Sequence, residues 1–470
     1  MTKKLITIFV CLALCFSVFA QQNMTLYQMH DITQSNSLNP SVAIDCKWNI
    51  GFPILGNISI AAGLPISYND IGAGQEYFNV DKILSLSKNT NLTSTNIGLN
   101  ILTVGYRTGD LYLQFTMDEK ISAKMSFAND LVELLFRGNT PGRTLEANPV
   151  LSLSHYSELG FNAAYNLGND LWVGARAKLL FGKTGVHSVN NILSLYTDPN
   201  DYALKLRSDL LVNASISGLE TDIVGGKVDK FRLNPEIKDF IFNPANMGGA
   251  IDIGMNKVFE SGWKVSASIL NIGMINWKKN THQLSKKAEL NYSGTSSIKG
   301  WNDLADTLRS IVDDFTDESG KSFSQWLTPE VMAGVSYPVI EYMRVGATGY
   351  AGISSAGIPW AFTLTALTDN TSHIYGAVSY TITNNSFVNI GAGLGVRLGA
   401  FNLHAMTDNV LTFLNTASQR YATFQFGINF KFGCGEGGGS GKSKPTSIPC
   451  PSFGHSSRKA VTSIPCSSGK

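Results

Sequence analysis

The feature that most constrains this chain is an alternation of apolar and polar side chains over two neighbouring segments. In residues 161–167, one face carries Phe161, Ala163, Tyr165 and Leu167, and the other carries Asn162, Ala164 and Asn166. Residues 168–170 (Gly-Asn-Asp) predict a tight turn, and in 171–181 an apolar face opposes one that carries Arg176 and Lys178. A period of two is that of a β-strand, so the segment predicts a β-hairpin with one apolar and one charged face.

This sidedness favours a wide barrel over a soluble sandwich. A sandwich core rarely receives Arg and Lys from mid-strand, whereas a wide barrel places the polar face towards a watery lumen and the apolar face towards lipid. The pattern recurs in hairpins at 97–117, 251–273 and 387–406 and in strands at 331–337, 343–350, 360–367 and 375–380. We therefore predict an all-β fold, a transmembrane antiparallel β-barrel of about 14 strands, two more or fewer, with short helices in its loops.

The connections between the predicted strands are very unequal in length. Turns of a few residues alternate with polar stretches at 182–250 and 277–330, which we interpret as long loops. Outer-membrane barrels have short periplasmic turns and long outer loops, so the pattern also fixes an orientation. Helical spacing at 301–315, and weakly at 127–136, predicts short helices packed on their own loops, with a ligand gate as the alternative.

The N-terminus has the three zones of a secretory signal. Lys3 and Lys4 precede an apolar run over 5–19 that ends at Ala20, and no later apolar block is long enough for a spanning helix. We expect cleavage after Ala20, with lipoprotein processing at Cys15 as the alternative. The predicted organisation is a signal peptide at 1–20, an N-terminal segment and candidate plug at 21–50, the barrel at 51–432 and a disordered periplasmic tail at 433–470. An exported soluble β protein is the competing fold.

The last predicted strand ends on an aromatic residue. Residues 424–432 alternate as far as Phe432, which we interpret as the assembly signal that the barrel assembly machinery reads. The tail that follows is rich in Gly, Ser and Pro and repeats the pentapeptide Thr-Ser-Ile-Pro-Cys. It is either inert or a contact for peptidoglycan or a partner.

Four cysteines remain after the predicted cleavage. An exported chain can form disulfides, and we expect one within the tail. A metal site with His455 lacks ligands at CxxC spacing, so no metal site is predicted. The four cysteines are Cys46, Cys434, Cys450 and Cys466.

No catalytic motif is present. The sequence has no HExxH, Walker loop or GxSxG elbow, so neither an enzyme nor a cofactor is predicted, although a catalytic group assembled across rim loops stays open. With Lys+Arg 37 against Asp+Glu 35 and 15% charged residues, the composition excludes a nucleic-acid-binding protein.

Six charged or titratable residues are predicted to face the lumen, either as charges lining water or as determinants of solute selectivity. They are Arg176, Lys178, Asp252, Arg344, Arg397 and His404.

Three segments carry a family resemblance: Ser-Leu-Asn-Pro-Ser at 37–41, Gly-Ala-Arg-Ala-Lys-Leu-Leu-Phe-Gly at 174–182, and Asn-Pro-Ala at 243–245 leading into 248–254. Together they resemble an uncharacterised outer-membrane β-barrel family, a domain of unknown function, that is also similar to fatty-acid-transporter-like and PorP/SprF-like barrels. In the fatty-acid-transporter relatives an early Asn-Pro-Ala segment lies in an N-terminal plug. The resemblance implies this place for Asn39 and Pro40, although Ser41 replaces the alanine and an ordinary Asn-Pro turn is the alternative.

Two functions fit these features. The first is a channel or transporter-like barrel in the outer membrane that passes or binds an unidentified solute, apolar solutes included. The alternative is a structural or secretion-accessory barrel that anchors envelope or surface partners. The expected partners are outer-membrane lipid, the barrel assembly machinery and a periplasmic or surface protein, and no nucleic acid.

Overall fold

Long antiparallel strands make up most of the described residues. The computed structural model describes residues 24–71, 79–224, 227–233, 244–292, 315–368 and 373–434. Within these ranges, no helix has the length and apolar character needed to cross a membrane. The strands are β1 Cys46–Gly51, β2 Asn57–Gly63, β3 Asn91–Thr108, β4 Leu111–Phe127, β5 Thr144–Glu146, β6 Val150–Asn166, β7 Leu171–Thr197, β8 Leu204–Ile216, β9 Leu219–Val224, β10 Lys227–Leu233, β11 Met247–Val258, β12 Lys264–Trp277, β13 Thr281–Tyr292, β14 Thr316–Ser319, β15 Phe323–Trp326, β16 Glu330–Ile340, β17 Met343–Gly352, β18 Trp360–Thr368, β19 Ile374–Thr383, β20 Asn389–Leu398, β21 Phe401–Thr407 and β22 Tyr421–Cys434. The α-helices are α1 Met24–Gln28, α2 Tyr68–Ile71, α3 Val80–Leu86, α4 Asn129–Arg137 and α5 Leu411–Leu414.

The strands close into a barrel with fourteen positions around its wall. β1 and β2 form one position, because both pair with β22 on one side and with β3 on the other. β15 and β16 likewise share one position beside β12. The circuit then runs through β3, β4, β6, β7, β11, β12, β15 with β16, and β17 to β22. The predicted barrel of about 14 strands is confirmed.

A disulfide joins the two ends of the barrel wall. Cys46 at the start of β1 lies opposite Cys434 at the end of β22 and is bonded to it. We call this bond the seam disulfide. The expectation of a disulfide confined to the tail was wrong for Cys434, because closure of the barrel brings together two cysteines separated by 388 positions in the sequence.

The two polar stretches interpreted as long loops contain a sheet that extends the wall. β7 has 27 residues: its first part pairs with β6 and β11, and its second part pairs with β5 and β8. β8 then pairs with β13, and β13 with β14. The loop interpretation of 182–250 and 277–330 was therefore wrong for these strands. β8 carries apolar residues at Leu204, Leu206 and Leu210 that alternate with Lys205, Arg207 and Asp209, so the sequence did contain a strand signal in this stretch.

The outer surface of the wall is an exposed apolar belt between two aromatic zones. Trp48, Tyr165, Trp263 and Tyr337 lie near the strand ends on the side of the turns at 168–170, 259–263 and 341–342, and Trp326, Trp360 and Phe387 lie near the opposite ends. Aliphatic side chains fill the space between, among them Leu113, Ile251, Ile253, Leu364, Val378 and Leu394. An apolar band between aromatic girdles is the surface of a barrel that spans a membrane.

Several predicted segments lie outside the described residues. These are the signal peptide at 1–20, the predicted helix over 301–315 apart from its last residue, and the tail from 435 onwards. The weak helical pattern at 127–136 corresponds to α4, Asn129–Arg137, in the connection between β4 and β5. The barrel wall begins at Cys46, a few residues before the expected start at 51, and extends to Cys434.

Candidate functional site in the barrel lumen

Residues 24–44 lie inside the barrel, and we call them the plug. The apolar side of the plug packs against the half of the wall that runs from β12 to β21. Its members in this contact are Met24, Leu26, Tyr27, Met29, Ile32 and Leu38, and the wall contributes Leu270, Met332, Tyr350, Ala361, Tyr375, Ala377 and Met406. All of these side chains are buried. Apolar burial therefore fixes the plug to one side of the lumen.

Asp408, at the end of β21, anchors the beginning of the plug. Its carboxylate accepts hydrogen bonds from the backbone nitrogens of Met24 and Thr25, both at 2.9 Å, and from the Thr25 hydroxyl at 2.6 Å. The Tyr421 hydroxyl donates to the same carboxylate at 2.9 Å. Thr25 also contacts the Ser379 hydroxyl at 2.7 Å. We call this contact the outer anchor.

The Asn39-Pro40 segment rests on two wall glycines. Gly174 of β7 and Gly254 of β11 are paired across the sheet. A Cβ at Gly174 would lie 2.2 Å from the Pro40 carbonyl oxygen, and one at Gly254 would lie 2.1 Å from Asn39 Oδ1. Only glycine allows the plug backbone this close to the wall. We call this contact the inner anchor.

Hydrogen bonds hold the inner anchor in register. Asn162 Nδ2 donates to the Pro40 carbonyl at 3.2 Å, and Asn39 Nδ2 donates to the Met255 carbonyl at 3.1 Å. Asn39 Oδ1 accepts from the Ser41 hydroxyl at 2.7 Å. Serine at position 41, the departure from the Asn-Pro-Ala pattern, therefore adds a hydrogen bond that alanine could not make.

A chain of ion pairs crosses the lumen face of β4, β6, β7 and β11. Lys120 Nζ lies 2.9 Å from Glu158, and Lys178 Nζ lies 3.7 Å from Glu158 and 2.7 Å from Asp252. Arg176 lies 3.5 Å from Asp252 and also donates to Asn36 of the plug, at 2.9 Å to the backbone oxygen. Three cations and two carboxylates thus alternate across the wall, and Arg176 at one end of the chain binds the plug.

A polar cavity of about 200 Å³ lies between the plug and the half of the wall opposite the plug's apolar side. Its lining comes mainly from β2, β3, β4, β6 and β7, with further residues from β12, β15, β22 and the loop before β16. Among the lining side chains are Gln34, Asn57, Asn96, Thr103, Gln114, Thr116, Asp118, Lys120, Ser122, Lys124, Ser152, Ser154, Tyr156, Glu158, Arg176, Lys178, Asn271, Gln325, Thr328, Glu330 and Gln425. Amide, hydroxyl and charged groups share this surface with apolar side chains, among them Leu26, Leu38, Ile121, Leu270 and Leu327.

Three of the six residues predicted to face the lumen come together. Arg176, Lys178 and Asp252 are buried in the ion-pair chain. Arg344 donates to the Gly262 carbonyl at a short turn, and Arg397 lies next to the turn at 399–400, so neither lines the cavity. In the plug, Asn39 and Pro40 form the inner anchor described above.

His404 lies elsewhere in the lumen, and Phe432 lies on the outer surface of the barrel. His404 is buried in the lumen, and neither ring nitrogen has a hydrogen-bond partner among the described residues. Phe432 is on the outer face of β22, where it stacks on Phe430.

The most polar part of the cavity was missed from the sequence. Gln114, Thr116, Asp118, Lys120, Ser122 and Lys124 occupy alternate positions of β4 and all line the cavity. The signal was present as a period of two in polar residues, but the hairpin predicted at 97–117 ends before Asp118, because the other face of the strand is only weakly apolar beyond that point. A polar stripe of this kind identifies a lumen-facing surface as well as an apolar stripe identifies a lipid-facing one.

The sequence matches a described family of unknown function, DUF5723, over residues 40–408. The chain belongs to this family. The DUF5723 match begins at Pro40 of the inner anchor and ends at Asp408 of the outer anchor. This confirms the predicted membership in an uncharacterised barrel family. No curated protein matches the sequence.

The chain is similar in fold to several solved structures. The toluene transporter TbuX of Ralstonia pickettii is 9% identical with a TM-score of 0.42, and the match covers 86% of this chain and 94% of that one. A FadL homologue of Pseudomonas aeruginosa is 8% identical with a TM-score of 0.38, covering 84% and 92%. The translocator domain of the autotransporter NalP from Neisseria meningitidis is 9% identical with a TM-score of 0.30, covering 82% and 88%.

Proposed function

We propose that this protein is a non-enzymatic, transporter-like barrel of the outer membrane that passes a small polar solute along the lumen beside a fixed plug. The observation that carries the proposal is the asymmetry of the lumen. The apolar side of the plug is sealed against one half of the wall, whereas the other half is separated from it by the polar cavity. A solute route through a barrel follows the surface that the plug leaves uncovered.

The polarity of the cavity favours a polar solute over an apolar one. Buried amides and charges lose hydrogen bonds when an apolar molecule displaces their water, and each unpaired group costs about 1–3 kcal/mol. Apolar side chains line the rest of the cavity, among them Leu26, Leu38 and Leu270, so the passage of apolar solutes stays a prediction.

Swelling of proteoliposomes in a permeant solute tests the proposal. Ser154 lines the cavity, and Ser154→Phe fills part of its volume. We expect this variant to slow the entry of small polar solutes several-fold. The matched control is Leu153→Phe, one position along β6 on the opposite face, which should swell like the wild type.

The rival function makes the opposite prediction. A barrel that anchors partners would copurify with a stoichiometric protein and admit no solute, with or without Ser154→Phe. Wild-type protein that is correctly folded in liposomes and produces no solute entry or conductance would refute the transport proposal.

A further inference from the structure

We propose that the outer face of β16 to β20 binds one acyl chain of a phospholipid from the leaflet on the side of the short turns. The site lies on the lipid-facing surface of the wall, so it is separate from the solute route in the lumen. The shape of this surface, its lack of polar groups and the hydrogen-bond donors at one end each support the proposal.

A groove of about 670 Å³ crosses the outer face of these five strands. This volume lies within the range of about 300–1,000 Å³ that is usual for ligand pockets. Neighbouring strands contribute side chains in two rows, because residues paired across an antiparallel sheet point to the same face. The small side chains of Ala347 and Ala366 leave space between taller neighbours. The first row begins with Val335, Ala347 and Leu364, and the second with Tyr337, Val345 and Ala366.

The groove has the width of a single hydrocarbon chain. The two rows are two residues apart along each strand, which is about 7 Å, whereas an α-helix with its side chains needs about 10–12 Å. Five strands at a spacing of about 4.8 Å give the groove a length of about 19 Å. One leaflet supplies half of a hydrocarbon core that is about 30 Å thick, so one tilted acyl chain can follow most of the groove.

The lining offers a ligand almost no hydrogen bonds. Backbone groups of the floor pair with the neighbouring strands, and the side chains of the rim are aliphatic or aromatic. Leu364 and Val378 on the rim are 51% and 59% exposed, so they contact what surrounds the barrel. The groove is continuous with the exposed apolar belt of the wall, which lies against lipid in a membrane-spanning barrel. A lipid chain is therefore the occupant that its position and its chemistry favour.

Aromatic side chains mark the end of the groove where a headgroup fits. Trp263 and Tyr337 line this end near the turns at 259–263 and 341–342, and their ring centroids are 4.9 Å apart. Trp and Tyr side chains sit at the level of lipid headgroups, and their N–H and O–H groups can donate to the ester carbonyls of a phospholipid. Tyr380 lies towards the other end, and its hydroxyl already donates to the Phe387 carbonyl at 2.6 Å. The headgroup therefore lies beside Trp263, in the leaflet on the side of the short turns.

Native mass spectrometry of the full chain tests the proposal. The protein is extracted in detergent and titrated with dioleoyl phosphatidylethanolamine, with the water-soluble headgroup glycerophosphoethanolamine and with lipid A. We expect binding of the phospholipid to saturate at one per barrel with at least ten-fold higher affinity than lipid A, and the headgroup alone not to bind. Lipid A that binds as tightly, a dimer of the chain that excludes lipid, or no saturable binding would each overturn the proposal.

Two pairs of variants locate the site. Ala347→Phe fills the groove and should weaken phospholipid binding at least ten-fold, whereas Ala333→Phe, on the same face of β16 but outside the groove, should not. Tyr337→Phe removes a donor and should weaken binding several-fold, while Tyr165→Phe, at an exposed tyrosine of β6, should not. Equal binding by Ala347→Phe and Ala333→Phe proteins that both keep their heat-modifiable gel mobility would contradict the position assigned to the chain.

Discussion

Substitution of Gly174 by alanine should release the inner anchor of the plug. The added Cβ would lie 2.2 Å from the Pro40 oxygen, 2.4 Å from the Pro40 carbonyl carbon and 2.5 Å from the Ser41 nitrogen. All three are backbone atoms, so no side-chain rotation relieves the clash and the plug must move. Overpacking of this kind costs about 1–3 kcal/mol.

The displacement also breaks the hydrogen bonds that depend on the plug backbone. Loss of the bonds from Asn162 to Pro40 and from Asn39 to Met255 costs about 1 kcal/mol each. Because the plug loses these bonds on release in the wild type too, the substitution shifts the equilibrium only by its penalty on the docked plug, about 1–3 kcal/mol or roughly ten- to a hundred-fold towards the released plug.

Amide hydrogen exchange over residues 36–42 measures this release, and conductance in planar bilayers reports its effect on the lumen. We expect faster exchange and higher conductance in Gly174→Ala protein. The control is Gly349→Ala, because a Cβ there meets no atom within 4 Å. If Gly174→Ala protein shows the same exchange and conductance as Gly349→Ala protein, close packing of the plug on the wall glycines is refuted.

Three further perturbations have distinct expected results. Asp408→Asn leaves one acceptor oxygen where the carboxylate offers two, so exchange should accelerate in the first turn of the plug while the inner anchor stays protected. Asp70 lies in the connection between β2 and β3. Burial alone would raise the pKa of its carboxyl group, but hydrogen bonds from Lys82 and Arg420 have the larger combined effect and hold this pKa below the usual 3.8. These interactions therefore stabilise the connection above about pH 4, and the stabilisation is lost as the pH falls through the lower pKa that Asp70 has in the folded protein. Proteolysis of the connection should increase in acid, and Asp70→Asn protein should be cleaved faster already at neutral pH. Replacing both cysteines of the seam disulfide by serine removes a link across 388 positions and should lower the free energy of unfolding by about 5 kcal/mol, read from the urea midpoint.

The wall could be predicted from the sequence because each strand carries its own evidence. The alternation in 161–181 indicates which side of each strand faces lipid and which faces the lumen, and it can be recognised without knowing the neighbouring strands. Arg176, Lys178 and Asp252 were placed in the lumen by the same rule. The extension formed by β8, β13 and β14 was missed, because the many polar residues of these stretches favoured loops over the short alternation at Leu204–Leu210 of β8.

The site itself depends on contacts between distant segments. The seam disulfide pairs cysteines from the first and last wall strands, and the inner anchor brings Pro40 onto Gly174 and Gly254. No local pattern encodes such a meeting. The polar stripe of β4 can be recognised in the sequence. The position of the plug, which covers the other half of the wall, is what makes this stripe the lining of a cavity.

Whether the apolar flank of the wall meets lipid is tested most directly by spin-label accessibility along β11. Labels are placed one at a time at Ile251, Asp252 and Ile253 after serine replaces Cys450 and Cys466. Ile251 and Ile253 are 53% and 44% exposed, and Asp252 is buried between them. In lipid bilayers, the labels at 251 and 253 should collide frequently with oxygen and rarely with a water-soluble nickel chelate, and the label at 252 should not share this pattern. Accessibility to the nickel chelate at 251 and 253, or no alternation along the strand, would contradict a membrane-spanning barrel.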